Sequence, residues 1–378
     1  MKVLLVSHTY MVKANQKKLD ELAAIPGVKL QVVVPLVWKE ELHPVIAVQS
    51  PEDPGYSFLS LPTFLTGRLG KAIYHSLDLT IRKFRPDIIH TESGTRGLTT
   101  FQAALYKRLF APRSKFITFT WSNLEKPMVF PLQFFERYNL KQTDHVICGN
   151  QDALTLLRSK GYKCPISVIP QLGIDTDFFR TRDGSVLRKQ LNISQKAFVI
   201  GFIGRMVPEK GLMTLVEAAG RLKGDWTLLL IGRGPDRDIV LQRLESLGIA
   251  DRVRWVDVVP HLELGKYYNA MNVLVSPSIT TAVWKEQFGL VVAQAMASQV
   301  PVVGSLCGET PNLVGDAGLL FPEGDVSALI EHLCHLQLDS ELCADLGMRG
   351  VKRIQENYTF NGIAKKNHQV WEEVLNGP

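Results

Sequence analysis

Ile200-Gly-Phe-Ile-Gly-Arg205-Met-Val-Pro-Glu-Lys210-Gly211 reads as a strand, a tight glycine turn, two cations five positions apart, and the start of a helix. A strand that is apolar without alternation and runs straight into a helix belongs to a parallel sheet buried on both faces. The same pattern continues downstream in Thr227–Ile231, Val253–Val256, Val273–Val275 and Val300–Val303, with helix-length segments Gly211–Leu222, Asp236–Leu247 and Leu262–Met271 between them. It also precedes the quoted stretch, in Val3–Val6, Lys29–Val34, Asp87–His90, Phe116–Thr120, His145–Cys148 and Ser167–Ile169. Two such series imply an α/β protein of two doubly wound parallel-sheet domains. Turn residues and charges replace periodic apolar ones around Gly173–Ser194, so the expected domains are 1–180 and 181–359. The closing segment Phe360–Leu375 reads as a helix carrying Ile363, Val370, Trp371 and Val374.

Composition agrees with this layout. At 378 residues, 46% hydrophobic and 21% charged, the chain can fill two cores and is not a disordered or low-complexity protein. It holds no apolar run near the ~18–20 residues that a spanning helix needs. Met1-Lys-Val-Leu-Leu-Val-Ser turns polar too early for a signal peptide and reads as an opening strand. Five cysteines without a C-x-x-C pair fit neither a disulfide framework nor a zinc site, which points to a reducing, cytoplasmic setting. Charge is lopsided: residues 1–190 carry 26 Lys+Arg against 16 Asp+Glu, and residues 191–378 carry 17 against 21. Basic residues concentrate in Arg68–Lys115. Solvated helix faces, an anionic membrane surface and an anionic acceptor all remain open as explanations. Nucleic acid ranks last, because no recognition motif accompanies the charge.

Ligands of open α/β sheets sit at the carboxyl ends of the strands. Two such domains facing a cleft would offer one substrate from each side, a geometry suited to group transfer. Arg205 and Lys210 lie in a loop at such an end, beside a helix N-terminus, where a fork donor, an ammonium and free amides suit a diphosphate; an ordinary exposed βα loop would look similar. Lys285-Glu286-Gln-Phe288-Gly289-Leu290-Val-Val-Ala-Gln294 places Glu286 just ahead of another helix, with Gln294 eight residues on and roughly on the same face. The amides of Phe288, Gly289 and Leu290 would be that helix's unsatisfied donors. Alternatively, Glu286 caps the helix. Gly232-Arg-Gly234 lacks a third glycine for a dinucleotide fingerprint and reads as a βα turn. The nine histidines form no metal-binding spacing. His90, at the end of its strand, is expected to be hydrogen-bonded locally more readily than catalytic.

Taken in order, several pieces resemble the retaining glycosyltransferases of the GT-B fold, family four. They are Asp87-Ile-Ile-His90, Asp144-His-Val-Ile, Val168-Ile-Pro170 with Gly173-Ile-Asp175, Gly204-Arg205 with Glu209-Lys210-Gly211, and Val275-Ser-Pro-Ser278. Glu286-Gln-Phe-Gly-Leu290, Pro301-Val-Val303 and Gly308-Glu-Thr-Pro311 follow. The resemblance implies two Rossmann-like domains, the first for the acceptor and the second for a nucleotide-sugar donor, with the last helix (360–378) crossing back to the first. It implies that Arg205 and Lys210 grip the donor diphosphate, that Glu286 lies by the donor sugar, and that the Phe288–Leu290 amides line sugar and phosphate. Val259 matches the loop that reads the base, and His90 the position facing the reacting carbon. Two departures stand out: the second acid of the family's Glu-x7-Glu pair is Gln294 here, and the small turn residue before Pro301 is Gln299.

The expected activity is metal-independent transfer of a hexose, glucose-like, from a UDP-sugar to a glycan or lipid-linked acceptor with retention, as in building an envelope polysaccharide. Fixed cations would stabilise the leaving diphosphate where other enzymes use a divalent ion, and no cofactor is implied. The basic N-terminal half is compatible with peripheral contact at the inner face of a membrane, and Trp121–Lys126 with the acceptor. The competing readings are an inactive nucleotide-sugar-binding or membrane-associated scaffold, and an NAD-type oxidoreductase. The latter needs glycines in the first βα turn, where Ser7-His-Thr-Tyr-Met-Val has none.

Overall fold

The computed structural model describes every residue except 39–45, 66–71, 128–129 and 378; Arg68, which opens the basic stretch, therefore lies outside the described residues. The chain divides into two compact units, Met1–Gly173 with Phe360–Pro378, and Ile174–Thr359.

The first unit carries a seven-stranded sheet. Its strands are β1 (Lys2–Val6), β2 (Lys29–Pro35), β3 (Ser57–Leu61), β4 (Ile88–Thr91), β5 (Lys115–Thr120), β6 (His145–Cys148) and β7 (Ile166–Val168), in the order β7-β6-β5-β4-β1-β2-β3. All of its pairings are parallel. Val3, Leu4, Leu5 and Val6 are all fully buried, as a strand covered on both faces requires.

The motif aspartates have a structural task here. Asp87, just before β4, accepts the Lys2 N–H at 2.7 Å, and Asp144, just before β6, accepts the Phe116 N–H at 2.6 Å. Each carboxylate thereby satisfies a backbone donor at the start of the neighbouring strand, which the ladder alone leaves unpaired. Asn272 repeats the device in the second unit, accepting from Val199 N–H at 2.8 Å.

The second unit carries a six-stranded parallel sheet of β8 (Phe198–Ile203), β9 (Trp226–Ile231), β10 (Val253–Val256), β11 (Val273–Ser276), β12 (Val302–Ser305) and β13 (Leu319–Phe321). Their order is β10-β9-β8-β11-β12-β13. The two strands that the apolar pattern did not mark, β3 and β13, are both sheet edges. In β3 (Ser-Phe-Leu-Ser-Leu) serines interrupt the apolar run, and β13 (Leu-Leu-Phe) is only three residues long, too short for its run to stand out.

The final helix, Phe360–Asn376, belongs to the first unit, where it packs on the helix Lys17–Ala23; Asn361 Nδ2 donates to Glu21 Oε2 at 2.6 Å. The division falls at 173/174 and not at 180/181. Ile174 N–H donates to the Tyr358 carbonyl at 2.8 Å and pairs in parallel with Thr359. The turn-rich stretch behind it is fastened to the second unit through Asn269, which accepts from Arg182 N–H at 2.6 Å and donates to the Arg180 carbonyl at 3.0 Å.

Candidate functional site

Glycines bring three loops together at the carboxyl edge of the second sheet. Lys210 ends a 3-10 turn, Pro208–Lys210, after β8, and Gly211 (φ +63°) joins it to helix α1 (Leu212–Ala219). A Cβ on Gly211 would sit 1.9 Å from the Pro277 carbonyl, and Ile279 N–H donates to the Glu209 carbonyl at 2.8 Å. The loop after β8 is thus pressed onto the loop after β11. Gly308 (φ +56°), after β12, makes the third approach: a Cβ there would meet the Glu286 carbonyl at 2.0 Å, which instead accepts from Glu309 N–H at 3.1 Å. Gly232 and Gly234 are read as a βα turn, and each comes close to the loop after β8 in the same way, at Gly204 O and Met206 O.

These approaches place Lys210 Nζ 2.7 Å from Glu286 Oε2 in a largely buried pair. Ser278 Oγ lies 3.5 Å from the same oxygen, and Glu286 Oε1 accepts its neighbour Gln287 N–H at 3.2 Å. Glu286 does not cap a helix. Helix α2 (Leu290–Ala297) begins only after Gly289 (φ +86°), so Glu286 and Gln294 share no helical face. Arg205 is half exposed and faces Glu209 at 3.4 Å. Each cation expected to meet a diphosphate therefore has a carboxylate partner, and an incoming polyanion would compete with Glu286 for the Lys210 ammonium. Phe288 is buried with its ring 5.8 Å from Tyr358, whereas Leu290 is partly exposed.

Gln294 is buried and accepts the Tyr268 hydroxyl at 2.9 Å, while its amide nitrogen lies 3.5 Å from His261 Nε2. Burial holds the His261 pKa below its usual value, which favours a neutral ring able to accept that amide. Val259, half-buried, stands two residues before His261, the histidine beside Gln294 that the sequence did not single out.

His90 lies in the first unit and is 1% exposed, edge-on to Trp371 at 6.2 Å between ring centroids. Neither ring nitrogen has a hydrogen-bond partner, and burial first of all pushes its pKa down to about 4. This corrects the expectation of a local hydrogen bond at His90: the ring is buried beside Trp371 with neither nitrogen paired.

Next to it lies a network that sequence reading missed. Lys18 Nζ donates to Glu92 Oε1 at 2.8 Å, with both side chains almost completely buried. Gln171 Nε2 donates to Glu92 Oε2 (3.0 Å) and Thr9 Oγ1 (2.8 Å), and the Trp121 indole N–H donates to Gln171 Oε1 at 3.0 Å. Burial favours the neutral acid at Glu92, but Lys18, His90 and the Gln171 bond outweigh it and hold the pKa below the usual carboxylate range. The partners stand too far apart in sequence for spacing to reveal them. Trp121, read as an acceptor-loop residue, thus spends its indole N–H inside the unit.

Among the described residues, no group of three or more His, Cys, Asp or Glu side chains could hold a metal ion, and no helix is long and apolar enough to cross a membrane.

Residues 197–339 match the family described as Glycosyl transferases group 1. N-acetyl-alpha-D-glucosaminyl L-malate synthase of Bacillus anthracis is 30% identical over 207 residues, 53% of this chain and 52% of that protein. D-inositol 3-phosphate glycosyltransferase of Mycobacteroides abscessus is 33% identical over 194 residues, 50% of this chain and 43% of that protein. The match thus spans about half the length of these curated relatives. In fold, the chain resembles sucrose-phosphate synthase from Thermosynechococcus elongatus (TM-score 0.76, 22% identity, 99% of both chains). It also resembles Anabaena HepE, solved in complex with UDP (TM-score 0.75, 17% identity, 98% of this chain and 99% of that one). The ordered motifs, the matched segment and the two parallel-sheet units agree: residues 197–339 match the glycosyl transferases group 1 family, and the whole chain takes the GT-B fold.

Proposed function

We propose that the protein transfers a glucose-like hexose from a UDP-sugar to a glycan or lipid-linked acceptor, with retention at the anomeric carbon and with fixed cations in place of a divalent ion. The observation that carries this reading is the Lys210–Glu286 pair, held by three converging loops beside the start of α2. As the bond from the sugar to the diphosphate breaks, negative charge grows on the leaving oxygen. Lys210, drawn part of the way from Glu286, stabilises it together with Arg205 and the first-turn amides of α2. Glu286, relieved of part of its partner, orients sugar hydroxyls and balances the positive charge that develops on the sugar ring. Gln294, Tyr268, His261 and the Val259 loop would form the nucleoside end. That Anabaena HepE was also solved with UDP-glucose supports UDP-glucose as the first donor to test. The lipopolysaccharide outer core galactosyltransferase WaaB shares the fold (TM-score 0.66, 14% identity), which keeps a membrane-bound acceptor in view. The acceptor side falls to the first unit, at a cytoplasmic membrane face that its basic residues suit.

Incubation with UDP-glucose and EDTA, without acceptor, tests the reading: slow release of UDP is expected, and neither UDP binding nor release would overturn it. Binding without release would instead favour the inactive scaffold. An NAD-type oxidoreductase gains no support from the first βα connection, where the 3-10 turn Thr9–Met11 has no glycine to let a pyrophosphate approach the backbone.

A further inference from the structure

Trp284 stands outside every motif discussed above. Its ring centroid lies 4.5 Å from Lys210 Nζ, on an ammonium that is also 2.7 Å from Glu286 Oε2. The ring is held there by a closed turn: Thr281 N–H donates to the Trp284 carbonyl at 2.8 Å, and Trp284 N–H donates to Thr281 Oγ1 at 3.0 Å. One residue earlier, the Thr280 N–H and hydroxyl both donate to the Glu323 carboxylate, at 2.7 and 2.6 Å. The segment Thr280–Trp284 is therefore fixed at both ends while Val283 at its crest stays 70% exposed. An exposed loop that spends this many hydrogen bonds on the placement of one half-buried indole is built to position it.

Lysine has four rotatable bonds and would sample many positions if Glu286 alone held it. A polyanionic ligand that draws Lys210 away from Glu286 would then also have to order the whole side chain. A π face lying on the ammonium keeps the chain extended whichever anion it serves, because the quadrupole attracts the cation without competing for its hydrogen bonds. Resting on the donor-diphosphate reading above, we propose that Trp284 is the positioning residue of this site: it braces Lys210 through a cation–π contact, so that the ammonium can pass from Glu286 to the diphosphate without losing its place.

The test is a double-mutant cycle on the full chain with W284L, K210M and the double variant, read first by urea unfolding without ligand and then by calorimetric titration with UDP. Leucine keeps apolar bulk but removes the π face. If the brace exists, W284L weakens UDP binding and lowers UDP-glucose turnover by about 3- to 30-fold. On the K210M background the same change does nothing, since coupled residues are not additive. W284F, which restores a π face, stays within about threefold of the unchanged protein. Equal behaviour of W284F and W284L, or full additivity in the ligand-free cycle, overturns the proposal. So does a W284L defect confined to UDP-glucose and absent with UDP, since that would put the ring against the sugar. Coupling in the ligand-free cycle together with no UDP binding by the unchanged protein would sink the donor reading and leave the brace standing.

Discussion

Lys210 and Glu286 are 76 positions apart, yet their charged atoms meet at 2.7 Å, so the smallest change at either reports directly on the site. Lys210→Ala and Arg205→Ala should each lower turnover by about 10²–10³ with the fold intact, the usual loss when one preorganised donor is removed. Near-normal steady-state rates in both would dismiss the diphosphate role. Gln294 needs a different measurement, because its carbonyl oxygen is already engaged by Tyr268. Gln294→Ala should raise the donor KM more than it lowers kcat, since it loosens Tyr268 and His261 at the proposed nucleoside end without touching the cations. The reverse split would move Gln294 into the chemical step. Residue types at this scale were legible in the sequence: two cations, one acid and one amide stand at recognisable spacings. Their partners were not. Tyr268, His261 and the Lys18–Glu92 pair come together only through the fold.

Most of the central strands were visible as unbroken apolar runs, because burial on both faces leaves a strand no room for alternation. Edge strand β3 escaped because serines interrupt its apolar residues and β13 because it is only three residues long, and the start of α2 escaped because Gly289 in the left-handed region delays it past Glu286. Loop packing was less legible still, since a glycine in sequence does not say which backbone it lies against. Gly308 shows what depends on that. Gly308→Ala would place a methyl group against the Glu286 carbonyl at a left-handed φ, and should cost about 1–3 kcal/mol in chemical denaturation. Turnover should fall with it, because Glu286 must shift. An alanine variant equal to the parent in both readouts would show that the loop gives way freely.

Acid should weaken the whole molecule before it reaches ordinary carboxylate titration. His8, half-buried and stacked on Trp38 at 4.4 Å, and the buried His90 are both largely shielded from water, and that desolvation pushes each pKa down to about 4. The unfolded chain takes up protons near the usual ~6.5, so stability is complete above that pH and drains away as pH falls towards about 4. Each ring contributes at most about 1.4 kcal/mol per pH unit within that window. Glu92, held below its usual range, adds a further loss at lower pH as it too is protonated. Urea midpoints should fall steadily between pH 7 and pH 4, and His90→Asn should flatten part of that slope; a midpoint indifferent to pH would contradict the buried neutral rings. The parallel pairing of Ile174 with Thr359 reaches further. The chain enters and leaves its second unit at one doorway, with its ends a single hydrogen bond apart, so residues 174–359 form a cassette that needs no long linker to close it. Expressed alone, that cassette should fold and show the UDP binding proposed above, and it could be grafted into other proteins as a ready-made insert.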